Sequence, residues 1–192
     1  MHKGRMEAFS DGVIAILITI MVLELKTPQG TGWAALQPIV PTMLSYLMSF
    51  VYLGIYWNNH HHMLQTCTGV NGKILWANLH LLFWLSLIPF LTSWTGENHF
   101  ASLPTAMYGG VLIMAAFAYT ILQTSIIRMQ GPDSKLAAAI GNDAKAKFSL
   151  LLYAIGIALA VFEHPWIGAS LYALVALLWL VPDPRIERRL AT

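Results

Sequence analysis

Six long apolar stretches, separated by short polar joints, run along the chain at 9–25, 38–57, 74–94, 103–127, 148–162 and 166–181. An α-helix rises about 1.5 Å per residue, so a hydrocarbon core about 30 Å thick takes about 20 apolar residues. The first four stretches meet that length. The last two are short and closely spaced, and either extend into their flanks or fold as a tight hairpin about Glu163-His164-Pro165. Trp33, Trp57, Trp76, Trp94, Trp166 and Trp179 fall near stretch ends, where amphipathic rings sit at headgroup level; Trp84 lies mid-span. Pro89 and the Gly109-Gly110 pair are candidate kinks in the third and fourth spans. The pattern predicts an all-α, six-span transmembrane bundle forming one domain over 1–192.

Composition sharpens this. Of 192 residues, 57% are hydrophobic and 10% charged, against about 45–50% and about 25% in soluble globular domains. That balance excludes an ordinary soluble enzyme, a nucleic-acid binder and a disordered segment. His2, Lys3 and Arg5 precede an apolar run, as in a signal peptide. That run holds Ser10, Asp11 and Glu24 and lacks a small-residue cleavage site, so it reads as a retained helix. One cysteine, Cys67, permits no internal disulfide. With six spans, Lys3, Arg5, Lys73, Arg128, Lys135, Lys145, Lys147, Arg185, Arg188 and Arg189 share the side of the termini, and only Lys26 lies opposite. The asymmetry makes the terminal side cytoplasmic, in a cell membrane. The stretch from Gly131 to Lys147 is a polar cytoplasmic linker that divides a four-span block from a two-span one.

The first span carries the chemistry. A carboxylate one turn inside a membrane helix costs free energy unless it is paired, so Asp11 is expected to face protein, with Asn78, His80 or Arg5 as partner. Ile16, Thr19, Ile20 and Leu23 follow i, i+3, i+4, i+7 spacing and form one stripe; Asp11, Ala15, Ile18 and Val22 form another about a third of a turn away. Taken alone, an aliphatic stripe on a membrane helix is a packing or lipid-contact surface. His60-His61-His62 with His80 suggests metal, but adjacent histidines point to different helix faces. Hydrogen bonding at the cytoplasmic end suits His60 and His61 better.

Arg5-x-x-x-Phe9-Ser10-Asp11-Gly12, running into Ile18-Thr19-Ile20 and ending Leu23-Glu24-Leu25-Lys26-Thr27-Pro28, resembles the signature of the transmembrane protein 175 family of potassium channels, most of all its prokaryotic members. The likeness extends to Trp57-Asn-Asn-His60-His61 and to Trp76-x-Asn78-Leu-His80-Leu-Leu-Phe-Trp84-x-x-x-x-Pro89-Phe90. His62 departs from the basic residue expected after the His pair. The second half matches mainly in hydropathy and length. The resemblance implies one six-span repeat per chain, a homotetramer, and first helices lining a central potassium path without a Thr-Val-Gly-Tyr-Gly loop. It places the hydrophobic constriction on Ile16 and further pore layers on Thr19, Ile20 and Leu23. It assigns Arg5, Phe9, Ser10 and Asp11, with Asn78, His80 and Trp84, to a structural tie between the first and third spans. Glu24 would attract cations at the outer mouth. No cofactor or nucleic acid is expected; the partners are further copies of the chain, the bilayer and permeant potassium. The rival reading is a small proton-coupled secondary transporter using Asp11, although the broken inverted helix pair of many transporters is not evident in the sequence.

Overall fold

A computed structural model describes residues 3–140 and 144–180. In chain order it contains α1 (Lys3–Leu23), a short 3-10 segment (Trp33–Ile39), α2 (Val40–Gln65), α3 (Gly72–Ser86), α4 (Ile88–Glu97), α5 (Ser102–Gln130), α6 (Lys135–Ile140), α7 (Ala144–Val161) and α8 (Pro165–Leu180). Among the described residues, five helical stretches are long and apolar enough to cross a membrane: α1, α2 with its 3-10 leader, α3 with α4, α5, and α7. The shorter apolar helix α8 lies where the sixth span is expected. Val181, which ends that predicted span, and His2, Arg185, Arg188 and Arg189 lie outside the described residues.

The third span is two helices rather than one, because Pro89 has no N–H to give the Leu85 carbonyl and its ring crowds that group. The chain breaks at Leu87 and restarts at Ile88 with Pro89 in the first turn. Gly109 and Gly110, by contrast, leave α5 unbroken. Gly109 serves a close approach instead: a Cβ there would collide with the fully buried Tyr172 of α8.

The linker contains the short helix α6, and α7 begins inside it at Ala144. The last two spans do not stand apart from the others. They pair as a hairpin, with Glu163 in the left-handed region at φ 65°, and pack back on α5 and α2. A Cβ on Gly168 would lie 2.5 Å from the Gly156 carbonyl oxygen. Backbone atoms at such a crossing cannot move aside cheaply. Gly168→Val is therefore expected to lower stability by about 1–3 kcal/mol, the usual cost of overpacking. Thermal unfolding of the detergent-solubilised protein measures it; an unchanged midpoint refutes the close crossing.

Hydroxyl groups tie the helices at mid-span. Ser49 Oγ lies 2.6 Å from Thr92 Oγ1 and 2.7 Å from Tyr108 Oη, joining α2, α4 and α5, and Tyr52 Oη donates to the Tyr172 carbonyl at 2.6 Å. In an apolar solvent such bonds supply association that burial alone cannot.

Candidate pore helix and its anchors

Helix α1 packs on α2, α3 and α4 and buries a single line of side chains: Met6, Ser10, Ile14, Leu17 and Met21. Neither of the stripes expected from the sequence is the bundle-facing one. At 3.6 residues per turn, the stripe of Ile16, Thr19, Ile20 and Leu23 is centred roughly 130° from the buried line. All four are exposed, Ile16 at 57% and Leu23 at 81%. Phe9 and Gly12 continue the same exposed face toward the start of the helix. Thr19 Oγ1 donates to the Ile16 carbonyl at 2.9 Å, which commits its proton to its own helix and turns the oxygen lone pairs outward.

The tie between the first and third spans exists, but through Ser10. Asn78 Nδ2 on α3 donates to Ser10 Oγ at 2.9 Å, and Ser10 Oγ donates to the Met6 carbonyl at 2.8 Å. His60 on α2 meets Asn78 Oδ1 at 2.7 Å through Nε2. Because the amide oxygen only accepts, His60 carries its proton on Nε2. The donors therefore run one way, from His60 to Asn78 to Ser10 to the backbone. All three side chains are at most 2% exposed. His60 Nδ1 is buried without a partner.

Asp11 is elsewhere. It is half-buried, and its Oδ1 accepts from Trp57 Nε1 at 3.0 Å rather than from Asn78 or His80. One helix position separates Ser10 from Asp11, which turns the carboxylate about 100° away from α3 toward α2. His80 accepts instead from Trp84 Nε1 at 2.9 Å within α3, a bond that does not reach α1. Arg5 is exposed.

Asp11 belongs to a polar zipper along α2. Lys3 Nζ donates to the Leu64 and Gln65 carbonyls at 2.9 and 3.2 Å, placing a cation on the negative end of the α2 dipole. His61 Nδ1 donates to Glu7 Oε1 at 3.1 Å, while Gln65 Nε2 donates to His61 Nε2 at 2.7 Å. Lys3, Glu7 and Asp11 step by four along α1, and Gln65, His61 and Trp57 step by four in the opposite direction along α2. That matched spacing was present in the sequence; only an antiparallel pairing of the two helices gives it meaning. The ring of His61 stacks on Trp57, with centroids 6.1 Å apart.

At the other end, Glu24 is exposed and shares a groove of about 540 Å³ with Glu97, Ser93, Trp94 and Ile20. Lys26 pairs with Glu97 at 2.7 Å. The hydrogen bond, and then the charge, of Glu97 raises the Lys26 amine above its usual 10.5. A raised lysine pKa contributes stability that is lost only as pH climbs through the raised value, so the Lys26 side of this contact is unchanged near neutrality.

Residues 5–89 match the family described as endosomal/lysosomal potassium channel TMEM175. A potassium channel of Chryseobacterium sp. (strain P1-3) is 60% identical over 190 residues, covering 99% of this chain and 98% of that protein. A potassium channel of Streptomyces collinus is 30% identical over 200 residues, covering 97% of each. The fold matches the crystal structure of a lysosomal potassium-selective channel TMEM175 homolog from Chamaesiphon minutus with a TM-score of 0.80 and 28% identity, covering 93% of this chain and 96% of that one.

Proposed function

The chain belongs to the TMEM175 family, and from that premise we propose that it is a multi-pass membrane potassium channel whose path is enclosed by the α1 helices of four copies. The observation that carries the pore assignment is the outward face of α1. The helix commits one line of side chains to its own bundle and leaves Ile16, Thr19, Ile20 and Leu23 outside it. One helix encloses nothing, so a path requires copies arranged about a symmetry axis.

Four Ile16 side chains meeting on that axis form a ring that excludes water when narrow and makes a passing ion shed part of its shell. Potassium, larger and more weakly hydrated than sodium, loses water at lower cost. Thr19 follows one turn along, its outward lone pairs replacing water ligands. Thr19→Val keeps the shape and removes that oxygen. It is expected to lower potassium-over-sodium preference while leaving assembly intact; reversal potentials in mixed-ion bilayers read it, and an unaltered preference assigns the sieve to the aliphatic ring alone. Glu24 at the outer mouth raises local cation concentration. The excess of Lys and Arg on the side of the termini supports a cytoplasmic position for both, in a prokaryotic plasma membrane.

Liposome flux tests the reading. Passive potassium movement down its gradient, from a particle whose native mass equals four chains, supports it. Uptake that requires a proton gradient would replace it with the transporter, a reading that gains no support from the comparisons.

A further inference from the structure

The two flanks of α1 differ in relief. One meets α2, where Trp57 holds Asp11; the other meets α4 across the groove lined by Leu17, Ile20, Pro89 and Phe90. At 3.6 residues per turn, Asp11 and Ile20 lie on opposite sides of the buried line, and the Ile16 stripe faces away from it. With that stripe on a rotation axis, the α2 flank of each copy meets the α3–α4 flank of the next. Such a contact is head-to-tail and closes into a ring.

The α3–α4 flank presents rings. Phe90 borders the same groove as Ile20, and Phe83 precedes it by about two helical turns. Phe83 is 55% exposed and Phe90 63%. The α2 flank presents a recess instead. Ala15 is exposed, and a Cβ on Gly54 would meet nothing within 4 Å. The exposed rings of Phe50 and Trp57 stand about one turn to either side of Gly54 along α2. Lipid is as apolar as these side chains, so helices associate in it through close packing, and small residues admit the closest approach.

Ring and recess stand at one height. Asn78 bonds to Ser10, and α1 and α3 run in the same direction, so Phe83 and Ala15, each five residues further on, share a level. Trp57 bonds to Asp11, and α2 runs the opposite way, so Gly54, three residues before Trp57, sits level with Ile14 and beside Ala15. Rotation about an axis normal to the membrane keeps that height from copy to copy. We propose that the Phe83 ring of each copy seats in the recess between Ala15 and Gly54 of the next, a contact that rests on the α1 helices enclosing the path. Because Ala15 adjoins Ile16, this seat sets how closely the Ile16 layer closes.

Gly54→Cys combined with Phe83→Cys in one chain, oxidised in the membrane, tests the seat. A denaturing gel is expected to show covalent dimers, trimers and tetramers, while either single variant stays monomeric. A native mass of four chains without that ladder overturns the seat and leaves the four-copy path standing; a native mass of one chain overturns both. Dimers from either single variant reveal a two-fold contact and also overturn it. A size exchange gives a second readout. Gly54→Leu fills the recess where its own protomer has open space, and is expected to lower the native mass below four chains; adding Phe83→Ala is expected to restore it. Unchanged assembly in Gly54→Leu, or no recovery in the pair, overturns the proposal.

Discussion

Replacing Ile16 with asparagine is expected to lower the potassium-over-sodium permeability ratio about tenfold, equivalent to about 1.4 kcal/mol of lost discrimination. The expectation follows from where the side chain sits. Ile16 is 57% exposed within its own protomer, so exchanging it removes little packing and the subunit should fold as before. What changes is the ring made with its copies. Four amides on the axis bind water, so the constriction wets and an ion passes with more of its shell in place. The penalty that separates sodium from potassium falls with it. Reversal potentials under mixed-ion conditions measure the ratio, and an unchanged melting temperature separates a pore effect from misfolding. A variant that assembles normally and keeps full selectivity removes Ile16 from the sieve.

Asn78→Leu is expected to be the most damaging change among the anchoring residues. Asn78 holds both neighbours, so its loss strands His60 Nε2 and takes a donor from Ser10 Oγ in a dry contact between α1, α2 and α3. Each buried group left without a partner costs about 1–3 kcal/mol, which places the loss at about 2 kcal/mol or more. Ser10 retains its bond to the Met6 carbonyl, so most of the penalty should fall on His60. Asp11→Ala, which removes one bond from a half-buried carboxylate, is expected to cost less. Thermal unfolding of the two variants side by side decides the matter. A larger loss for Asp11→Ala would move the anchor back to the carboxylate.

The contrast between these two residues marks the limit of sequence reading. Asp11 drew notice because a charge in an apolar run is expensive and demands a partner. The demand was real, but the sequence could not say which neighbour met it. One residue of helical phase decided between Asn78 on α3 and Trp57 on α2. Ser10, which the resemblance placed in the same tie, is the side chain that reaches across to α3, although a hydroxyl can also bond to its own helix at little cost. His60 was legible as a hydrogen-bonding residue. Its place at the head of a three-helix relay was not, because the relay needs side chains 18 and 68 positions apart in the chain to meet.

Local chemistry was easier to read. Hydrocarbon thickness converts directly into helix length, so the long apolar helices followed from hydropathy alone. Pro89 carries its own steric consequence and breaks the third span where it stands. Gly109 does not, because a glycine can serve either a bend or a close contact, and Tyr172 on a distant helix makes it the latter.

The sequence by itself therefore determined the helical class, the run of long apolar helices and the aliphatic-and-threonine stripe on α1, since each depends on solvent and on spacing within one segment. Tertiary structure decided which line of α1 faces the bundle, who partners Asp11 and Asn78, and how the final hairpin docks. Those outcomes depend on the rotation of one helix against another, and packing between segments sets that rotation.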